Sequence, residues 1–547
     1  MADVRHPAAL QYVYDDSATP ARLKTITDPV SGRSMTLSYN RPGDTCYTGL
    51  TPPPGADANA PSQMLCRIAY WDGRQSVLWY TNGQLSRFED PGSEITDFGY
   101  DTTTGLLTKV RDPRAADWVA VDPTNRDNDT TRWLVAYTSG KATSVTGPAP
   151  AVGAARPAHS YRYDPANSQT FTDVAGLTPE TGFFSKVTYD SAYRTLSTTD
   201  ATGKTSSTTW DNRDLQLTST DPAGRESTTV YDYAMRPTDT YGPAPTSCFT
   251  GQQPTTACAD TVPHTHTGYD ENLLGLAATY YGNTTLTGAP GALATGVGTG
   301  DGSLAVTWGA NPPATGIPAT NYSARFTGDL TMPTAGTYTI AATVIDGVRV
   351  YLDDLLVVDG WADHSSATTV TGTFANPTAG AVHRIRVDYY AHGNGQLTLK
   401  WTPPGGSQQT IPGGNLHARY NLATSTYHDE NAGVPGKYTT TAYTPTGIDP
   451  GYGLASATSS DPGSLNLSES TGYETLGTGY LRRTSKTKPT GAATTYTYYG
   501  DTETRANPCV PGSPAVNQGG QPKLITSPAR PPGLPAPMNG STTPPGM

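Results

Sequence analysis

The sequence is poor in charged and in strongly apolar residues. Charged side chains make up 15% and hydrophobic side chains 35% of the 547 residues, and both shares lie below the averages for globular proteins. The formal net charge of −11 comes without a basic stripe, so no nucleic-acid partner is predicted. No apolar run is long enough to cross a bilayer, so no membrane span is predicted either.

Sequence motifs of common enzymes are missing as well. HExxH, GxSxG and phosphate-loop patterns do not occur, and the glycine-rich stretch 296–302 does not complete GxGxxG. The 47 acidic residues make chance carboxylate pairs common, and only their separation in space would decide glycoside cleavage. The sequence therefore predicts a protein that is not an enzyme.

Cysteine is scarce, and its spacing excludes some metal sites. The five cysteines form no CxxC pair, which argues against a zinc ribbon or a thioredoxin-like site. Cys46/Cys66 and Cys248/Cys258 bracket proline-rich loops. Two alternatives stay open: disulfides in an oxidising compartment, or free thiols.

Two further patterns fall short of a metal site. His264 and His266 stand two apart on a possible strand, but the sequence indicates no third ligand. The acidic stretch 122–129 lacks the ordered spacing of a calcium loop and is interpreted as a solvated turn.

Residues typical of strands and turns are abundant. The chain has 33 tyrosines against 8 phenylalanines, with 58 glycines and 47 prolines. Tyrosine suits a half-buried sheet surface, and glycine and proline mark turns. The composition thus predicts an all-β protein.

A period of 21 residues runs through the middle of the first half. Tyr189, Trp210 and Tyr231 each precede an aspartate at this interval, and Gly203 and Gly224 differ by the same number. Segments rich in Thr, Val and Tyr flank type I turn sequences of the DPAG kind. Each unit is therefore predicted to be a β-hairpin, marginal alone and stable when stacked on its neighbours.

These tyrosine-aspartate pairs and the DPxGR phrase at 221–225 resemble the RHS or YD-repeat family. The resemblance covers about 1–270 and 422–500. It implies hairpins wound as a long β-sheet spiral into a hollow shell, as in secreted or surface proteins of bacteria that often enclose a toxin. Neither the family's self-cleaving terminal segment nor a toxin domain is found, so a shell segment is expected, with the rest of a larger RHS shell as partner.

The period stops between about 275 and 420, where alternating short strands continue without helical periodicity. A β-sandwich with its own core is predicted there. Ordered phrases in this stretch closely resemble the protective-antigen-type lectin domain, named PA14. After a YY pair near the start, they are FTG (326–328), AGTYT (335–339), DGVRVYLDD (346–354), VVDGW (357–361), VDYY (387–390) and LKWTPPG (399–405). The resemblance implies a carbohydrate-binding β-sandwich.

In PA14 domains with a well-formed lectin site, two consecutive aspartates hold calcium. Here Asp346 matches the second of them and Ile345 replaces the first, and Asn394 is the nearest match to the family's asparagine ligand. The resemblance thus implies Asp346 and Asn394 as calcium ligands. Because the Ile345 replacement removes both a ligand and a charge, it predicts a weakened calcium site.

A sugar site also needs an aromatic surface with planar polar groups at its edge. Trp361 and Asp363 stand together after a strand, and His392 and Asn394 share another loop. With Asp346, these are the predicted carbohydrate-binding residues. The alternatives are that Trp361 is a core residue and that Asp346 starts a turn.

The sequence is therefore predicted to consist of four segments. They are an RHS-like repeat segment (1–270), a PA14-like sandwich (271–421), further repeats (422–505) and a Pro/Gly-rich tail without regular structure (506–547). The start, MADVRHPAAL, lacks a signal-peptide layout. The sequence predicts a piece of a larger, non-enzymatic protein that binds glycans or cell-wall polysaccharide outside the cell or at its surface. Two alternatives are a ligand-free segment of a toxin shell and the accessory module of a hydrolase encoded elsewhere on the full chain.

Overall fold

The structure, a computed structural model, describes residues 10–528 apart from 18, 29, 45, 175–183, 289, 430–435, 478, 507–511, 513 and 514. The chain divides into two compact units. The first comprises 1–267, 288–290 and 428–436, and the second comprises 268–287, 291–427 and 437–547.

Strands of the first unit pair with their neighbours in chain order as one antiparallel meander, apart from the short hairpin β19–β20. They are β1 (Gln11–Asp15), β2 (Arg22–Thr27), β3 (Ser34–Tyr39), β4 (Leu65–Ala69), β5 (Gln75–Thr81), β6 (Gln84–Asp90), β7 (Glu94–Tyr100), β8 (Leu107–Arg111), β9 (Trp133–Thr138), β10 (Lys141–Thr146), β11 (Ala158–Asp164), β12 (Gln169–Val174), β13 (Phe184–Tyr189), β14 (Thr195–Thr199), β15 (Thr205–Trp210), β16 (Gln216–Thr220), β17 (Arg225–Tyr231), β18 (Pro237–Pro245), β19 (Phe249–Thr250), β20 (Gln253–Pro254) and β21 (His264–Tyr269). The last of these ends just beyond the unit boundary.

The hydrogen bonds of the repeat turns explain why each of them begins with an aspartate. The main-chain N–H of Asp232 donates to the carbonyl of Arg236 (3.0 Å). In return, the Asp232 carboxylate accepts the N–H groups of Ala234 (2.8 Å) and Arg236 (3.0 Å) and the Arg236 side chain (2.8 Å). The same main-chain bonds recur in the turns that begin at Asp190, Asp200, Asp211 and Asp221. One carboxylate thus satisfies donors that the tight turn leaves without a strand partner.

The aromatic residue before the aspartate reaches back to the previous hairpin. Trp210 donates from its indole Nε1 to the carbonyl of Thr195 (2.8 Å), and Tyr231 donates from its hydroxyl to the carbonyl of Gln216 (3.0 Å). In these two aromatic-aspartate pairs, therefore, the aromatic side chain bonds to the preceding hairpin and the carboxylate stabilises the next turn.

The fourth residue of these turns is left-handed, which gives a matched pair of substitutions. Gly224 has φ 77° and open space around its missing side chain, whereas Met235 holds φ 64° at the equivalent place. We expect Gly224→Ala to lower the free energy of unfolding by about 1 kcal/mol, and Met235→Gly to leave it unchanged or raise it, because left-handed backbone disfavours a Cβ. Urea unfolding of both variants checks this. Losses of equal size would contradict the conformational explanation.

Two short helices, α1 (Pro113–Val121) and α2 (Pro123–Arg126), interrupt the meander and were not predicted. Asp112 caps α1 by accepting the N–H of Ala115 (2.9 Å), and Asp122 caps α2. Aspartate followed by proline favours a helix start as well as a turn. That ambiguity explains why 122–129, interpreted as a turn, contains α2.

The structure joins Cys46 to Cys66 and Cys248 to Cys258, with Cα atoms 5.4 Å apart in each pair. Of the two alternatives that the sequence left open for these four residues, it therefore contains the disulfides. Cys509 lies outside the described residues.

The second unit contains a sandwich followed by a further meander. Its strands are β22 (Ala277–Tyr281), β23 (Ala292–Thr295), β24 (Ala305–Gly309), β25 (Tyr322–Met332), β26 (Gly336–Ile345), β27 (Gly347–Leu352), β28 (Leu355–Gly360), β29 (Thr368–Asn376), β30 (Ala381–Ala391), β31 (Gly395–Thr402), β32 (Gln409–Thr410), β33 (Leu416–His417), β34 (Ala423–Asp429), β35 (Lys437–Ala442), β36 (Ala457–Ser460), β37 (Leu467–Tyr473), β38 (Arg483–Thr487), β39 (Ala493–Tyr498), β40 (Thr504–Arg505), β41 (Val516–Asn517) and β42 (Pro522–Thr526). Part of β34 belongs to the first unit.

Two sheets form the sandwich. One has the order β23-β22-β25-β30-β27-β28, with β33 beside β25, and the other has the order β24-β31-β26-β29, with β32 beside β31. Buried and partly exposed residues alternate along β31, and Leu397, Leu399 and Trp401 face a core that also contains Phe326 and Tyr338. The predicted all-β class and the predicted β-sandwich are confirmed.

The sandwich is inserted at a turn of the repeat type. Asp270 donates its N–H to the carbonyl of Leu422 (2.9 Å), and its carboxylate accepts the N–H groups of Asn421 (3.0 Å) and Leu422 (2.9 Å). Asn421 is left-handed, with φ 58°. In the turn at Asp232, Met235 and Arg236 take the places of Asn421 and Leu422, so the chain from 271 to 420 stands where that turn has two residues.

Part of the segment 506–547, for which no regular structure was predicted, forms strands. β42 pairs with β39 over Thr495–Tyr498, and β41 pairs with β40. Residues 507–511, 513, 514 and 529–547 lie outside the described part of the chain. Across the described ranges, no helix has the length and apolar character needed to cross a membrane.

Candidate functional site

Residues from several connections meet at one end of the sandwich. Asp346 joins β26 to β27, residues 361–367 join β28 to β29, residues 392–394 join β30 to β31, and Asn321 precedes β25. Because the sheets are rigid and the connections lie at their ends, side chains from different loops are held in fixed relation. We call this group of residues the loop-end site.

Asp346 is the buried centre of the loop-end site. It is 7% exposed and has left-handed backbone (φ 62°). Its carboxylate Oδ2 accepts the N–H of His392 (2.8 Å), and its own N–H donates to the carbonyl of His364 (3.0 Å). The His364 Nδ1 donates to the Asp346 carbonyl in turn (3.0 Å). Asp346 thus forms the one-residue connection between β26 and β27 and also holds two further loops.

Tyr390 and Asp363 link these loops at the surface. The Tyr390 hydroxyl donates to Asp363 Oδ1 (2.7 Å), and His392 Nε2 lies 3.5 Å from the same oxygen. The other ring nitrogen of His392 bonds to Asn321 Oδ1 (2.8 Å). Burial, followed by the neighbouring Asp363 carboxylate, raises the pKa of Tyr390. Tyr390 therefore remains a neutral donor and fixes the exposed Asp363.

Glycine is required beside Tyr390. A Cβ on Gly347 would lie 1.9 Å from the Tyr390 ring. Because this distance is far shorter than a van der Waals contact between two carbons, only glycine leaves room for the Tyr390 ring beside position 347.

Trp361 packs along the edge of the site. Its ring is half-buried and lies 4.7 Å from the Tyr390 ring, edge to face, with the Arg349 guanidinium 5.4 Å from its centre. Trp361 is not among the buried residues of the sandwich core. Part of its surface therefore faces solvent beside Tyr390, whose hydroxyl bonds to Asp363.

An aromatic layer supports the 392–394 loop from below. Trp308 stacks on Tyr389 (ring centres 5.5 Å apart), and the Tyr389 hydroxyl accepts the N–H of Gln396 (3.0 Å). Burial raises the pKa of Tyr322 to about 12, and a Cβ on Gly395 would lie 1.9 Å from that hydroxyl. The loop thus rests on neutral, tightly packed tyrosines.

The structure brings four of the five predicted site residues together: Asp346, Trp361, Asp363 and His392. Asn394 shares the loop of His392, but its side chain is exposed and makes no hydrogen bond to a described residue. Sequence reasoning missed Tyr390 and Asn321. Strand alternation in VDYY could have shown that Tyr390 faces away from the core once Tyr389 faces it, whereas nothing marked Asn321.

The side-chain oxygens at the predicted calcium position fit calcium poorly. Calcium takes six to eight oxygen ligands. Asp346 offers one carboxylate, and its Oδ2 already accepts the His392 N–H. Ile345 contributes no side-chain oxygen, and Asn394 adds a single amide oxygen at the surface.

Residues 274–414 match the family model of the PA14 domain. A curated relative, the anti-sigma-I factor RsgI3 of Acetivibrio thermocellus, is 29% identical over 111 residues, which is 20% of this chain and 17% of the relative. Among solved structures, an anti-sigma factor domain-containing protein from Clostridium clariflavum is 27% identical (TM-score 0.24) over 26% of this chain and 47% of its own. A PA14 sugar-binding domain from an RTX adhesin is 16% identical (TM-score 0.22) over 26% of this chain and 98% of its own.

Proposed function

We propose that the PA14 domain at 274–414 binds carbohydrate at the loop-end site. The observation that carries this proposal is the convergence of a partly exposed indole, a carboxylate and an imidazole around Tyr390, from Trp361, Asp363 and His392. They come from two different loops and are held by Tyr390 and Asp346.

The chemistry of these groups suits a sugar. A pyranose ring offers C–H groups on its faces and hydroxyls around its edge. The indole of Trp361 takes the apolar face, while Asp363 accepts hydroxyl protons and His392 donates or accepts at its edge. Because Asp346 and Tyr390 already fix these side chains, little side-chain entropy is lost on binding.

Asp346 acts through position rather than through a bound metal. Its buried carboxylate holds the main chain at His392, and Asn394 adds a surface amide to the rim of the same loop. With the donor set described above, sugar binding is proposed to proceed without calcium.

We further infer that the chain acts outside the cell or at its surface as a non-enzymatic binding protein. Two disulfides favour an oxidising compartment. The recurring aromatic-aspartate bonds support, as a proposal, an RHS-type repeat whose hairpins form part of a larger β-shell. Glycans or cell-wall polysaccharide are the proposed partners.

Binding of the full chain to glycan arrays and to insoluble cell-wall polysaccharide tests the proposal. Trp361→Ala and Asp363→Asn are expected to weaken binding between about five-fold and about 150-fold, because a stacked ring or a hydroxyl acceptor contributes about 1–3 kcal/mol. Binding in EDTA is expected to equal binding with added calcium.

Asp354→Asn is the matched control. Asp354 is an exposed carboxylate at the far end of β27, where it pairs with Arg384, and its loss should leave binding unchanged. A chain that binds no glycan with or without calcium would favour a structural module. Binding that is lost only in EDTA would instead support calcium as a part of the binding site.

A further inference from the structure

A cluster of metal-binding side chains lies in the repeat meander of the first unit. Strands β18 and β21 are antiparallel, with Asp239 opposite His266 and Tyr241 opposite His264. Because alternate residues of a strand share a face, both imidazoles and the carboxylate project from one surface of the sheet.

Both histidine side chains already contact the Asp239 carboxylate. His264 Nε2 lies 3.0 Å and His266 Nδ1 2.8 Å from Asp239 Oδ1. One ligand atom from each residue lies within 4.8 Å of the other two. Of all the residues placed by the structure, only these form such a group of three or more His, Cys, Asp or Glu side chains. The strand register thus supplies the third ligand that the sequence did not indicate.

The spacing suits a small divalent ion. Zinc binds imidazole nitrogen and carboxylate oxygen at about 2.0–2.2 Å, so ligand atoms of a tetrahedral site lie about 3.3 Å apart. The Asp239 to histidine distances need to widen by only about 0.3–0.5 Å to reach this value. Two imidazoles also exclude calcium and magnesium as the preferred ions, since those select oxygen.

The surroundings orient the ligands and leave the site accessible. The Tyr241 ring stacks on His264, with ring centres 4.4 Å apart and planes at 10°, and this holds the imidazole in place. The His266 side chain is 48% exposed. An ion here would keep at least one position open to water, as three-ligand zinc sites do.

We propose that Asp239, His264 and His266 form a site for a divalent transition metal, with zinc as the ion that this ligand set selects. The bound ion joins neighbouring strands β18 and β21 across the sheet. This site is separate from the loop-end site and does not depend on the proposed carbohydrate binding.

Metal binding by the full chain, made without a histidine tag and stripped with EDTA, tests the proposal. We expect one zinc ion per chain with micromolar or tighter affinity against a chromophoric chelator, and a tetrahedral cobalt absorption spectrum. His264→Gln, His266→Gln and Asp239→Asn should each weaken zinc binding at least ten-fold. His159→Gln is the control, because His159 is an exposed strand histidine outside the cluster.

Two outcomes would overturn the site. One is zinc binding by the wild type that is no tighter than binding by the triple variant. The other is an X-ray absorption spectrum of the zinc-loaded wild type without imidazole scattering. The second measurement needs no substitution, so it decides the question even if a variant fails to fold.

Discussion

Replacement of Arg419 by methionine is expected to lower the free energy of unfolding of the second unit by about 3–5 kcal/mol, because the Asp329 carboxylate would stay buried without its guanidinium. Both side chains are 7% exposed. Arg419 Nε lies 2.9 Å from Asp329 Oδ2, and a second nitrogen of the guanidinium bonds to the other carboxylate oxygen. Urea unfolding followed by tryptophan fluorescence measures the loss.

Two controls separate burial from charge in this experiment. The double variant Asp329→Leu/Arg419→Met should recover most of the stability, since removal of both charges leaves no buried ion. Arg384→Met breaks the exposed pair with Asp354, whose side chains are 50% and 77% accessible, and should cost less than 1 kcal/mol. Equal losses in Arg384→Met and Arg419→Met would contradict the role of burial.

Removal of the Cys46–Cys66 disulfide is the second large effect. The bond closes a loop with a sequence separation of 20, and the chain-entropy relation gives about 3 kcal/mol for a loop of that size. Cys66 is fully buried beside Ala60 and Tyr80, so Cys46→Ala/Cys66→Ala also loses packing. Thermal unfolding of the first unit, with and without dithiothreitol, measures this loss.

Cys248→Ala/Cys258→Ala provides the comparison. Its loop has a separation of 10, which the same relation puts at about 2.7 kcal/mol, and neither cysteine belongs to a buried cluster. Reductant should have no further effect on either double variant. A wild-type unfolding temperature that does not respond to reductant would contradict the stabilising role of both bonds.

The sequence predicted the parts of the fold that local chemistry decides. The aspartates of the 21-residue period occupy the turns where a carboxylate replaces missing partners, and the alternation in LTLKW places Leu399 and Trp401 in the sandwich core. The helix α1 was missed because Asp112 and Pro113 suit a helix start and a turn alike.

The sequence could not show those contacts between side chains that depend on how strands distant in the chain are paired. Asp239 joins His264 and His266 because β18 and β21 pair across the loop that contains the second disulfide. Asn321 reaches His392 although they are 71 residues apart. Asn394, by contrast, is adjacent to the site in sequence and makes no hydrogen bond within it. Closeness along the chain predicted the loops of the site but not its contacts.

The bonds of Asp270 to Asn421 and Leu422 bear on how such a chain can change. The residues at which the chain enters and leaves the sandwich are hydrogen-bonded to each other. The flanking strands are therefore joined by the same closed turn, whichever domain lies between these two residues. A domain that holds its own ends together adds little closure entropy to its host. A different domain at this position can therefore replace the sandwich, while the flanking strands keep their register.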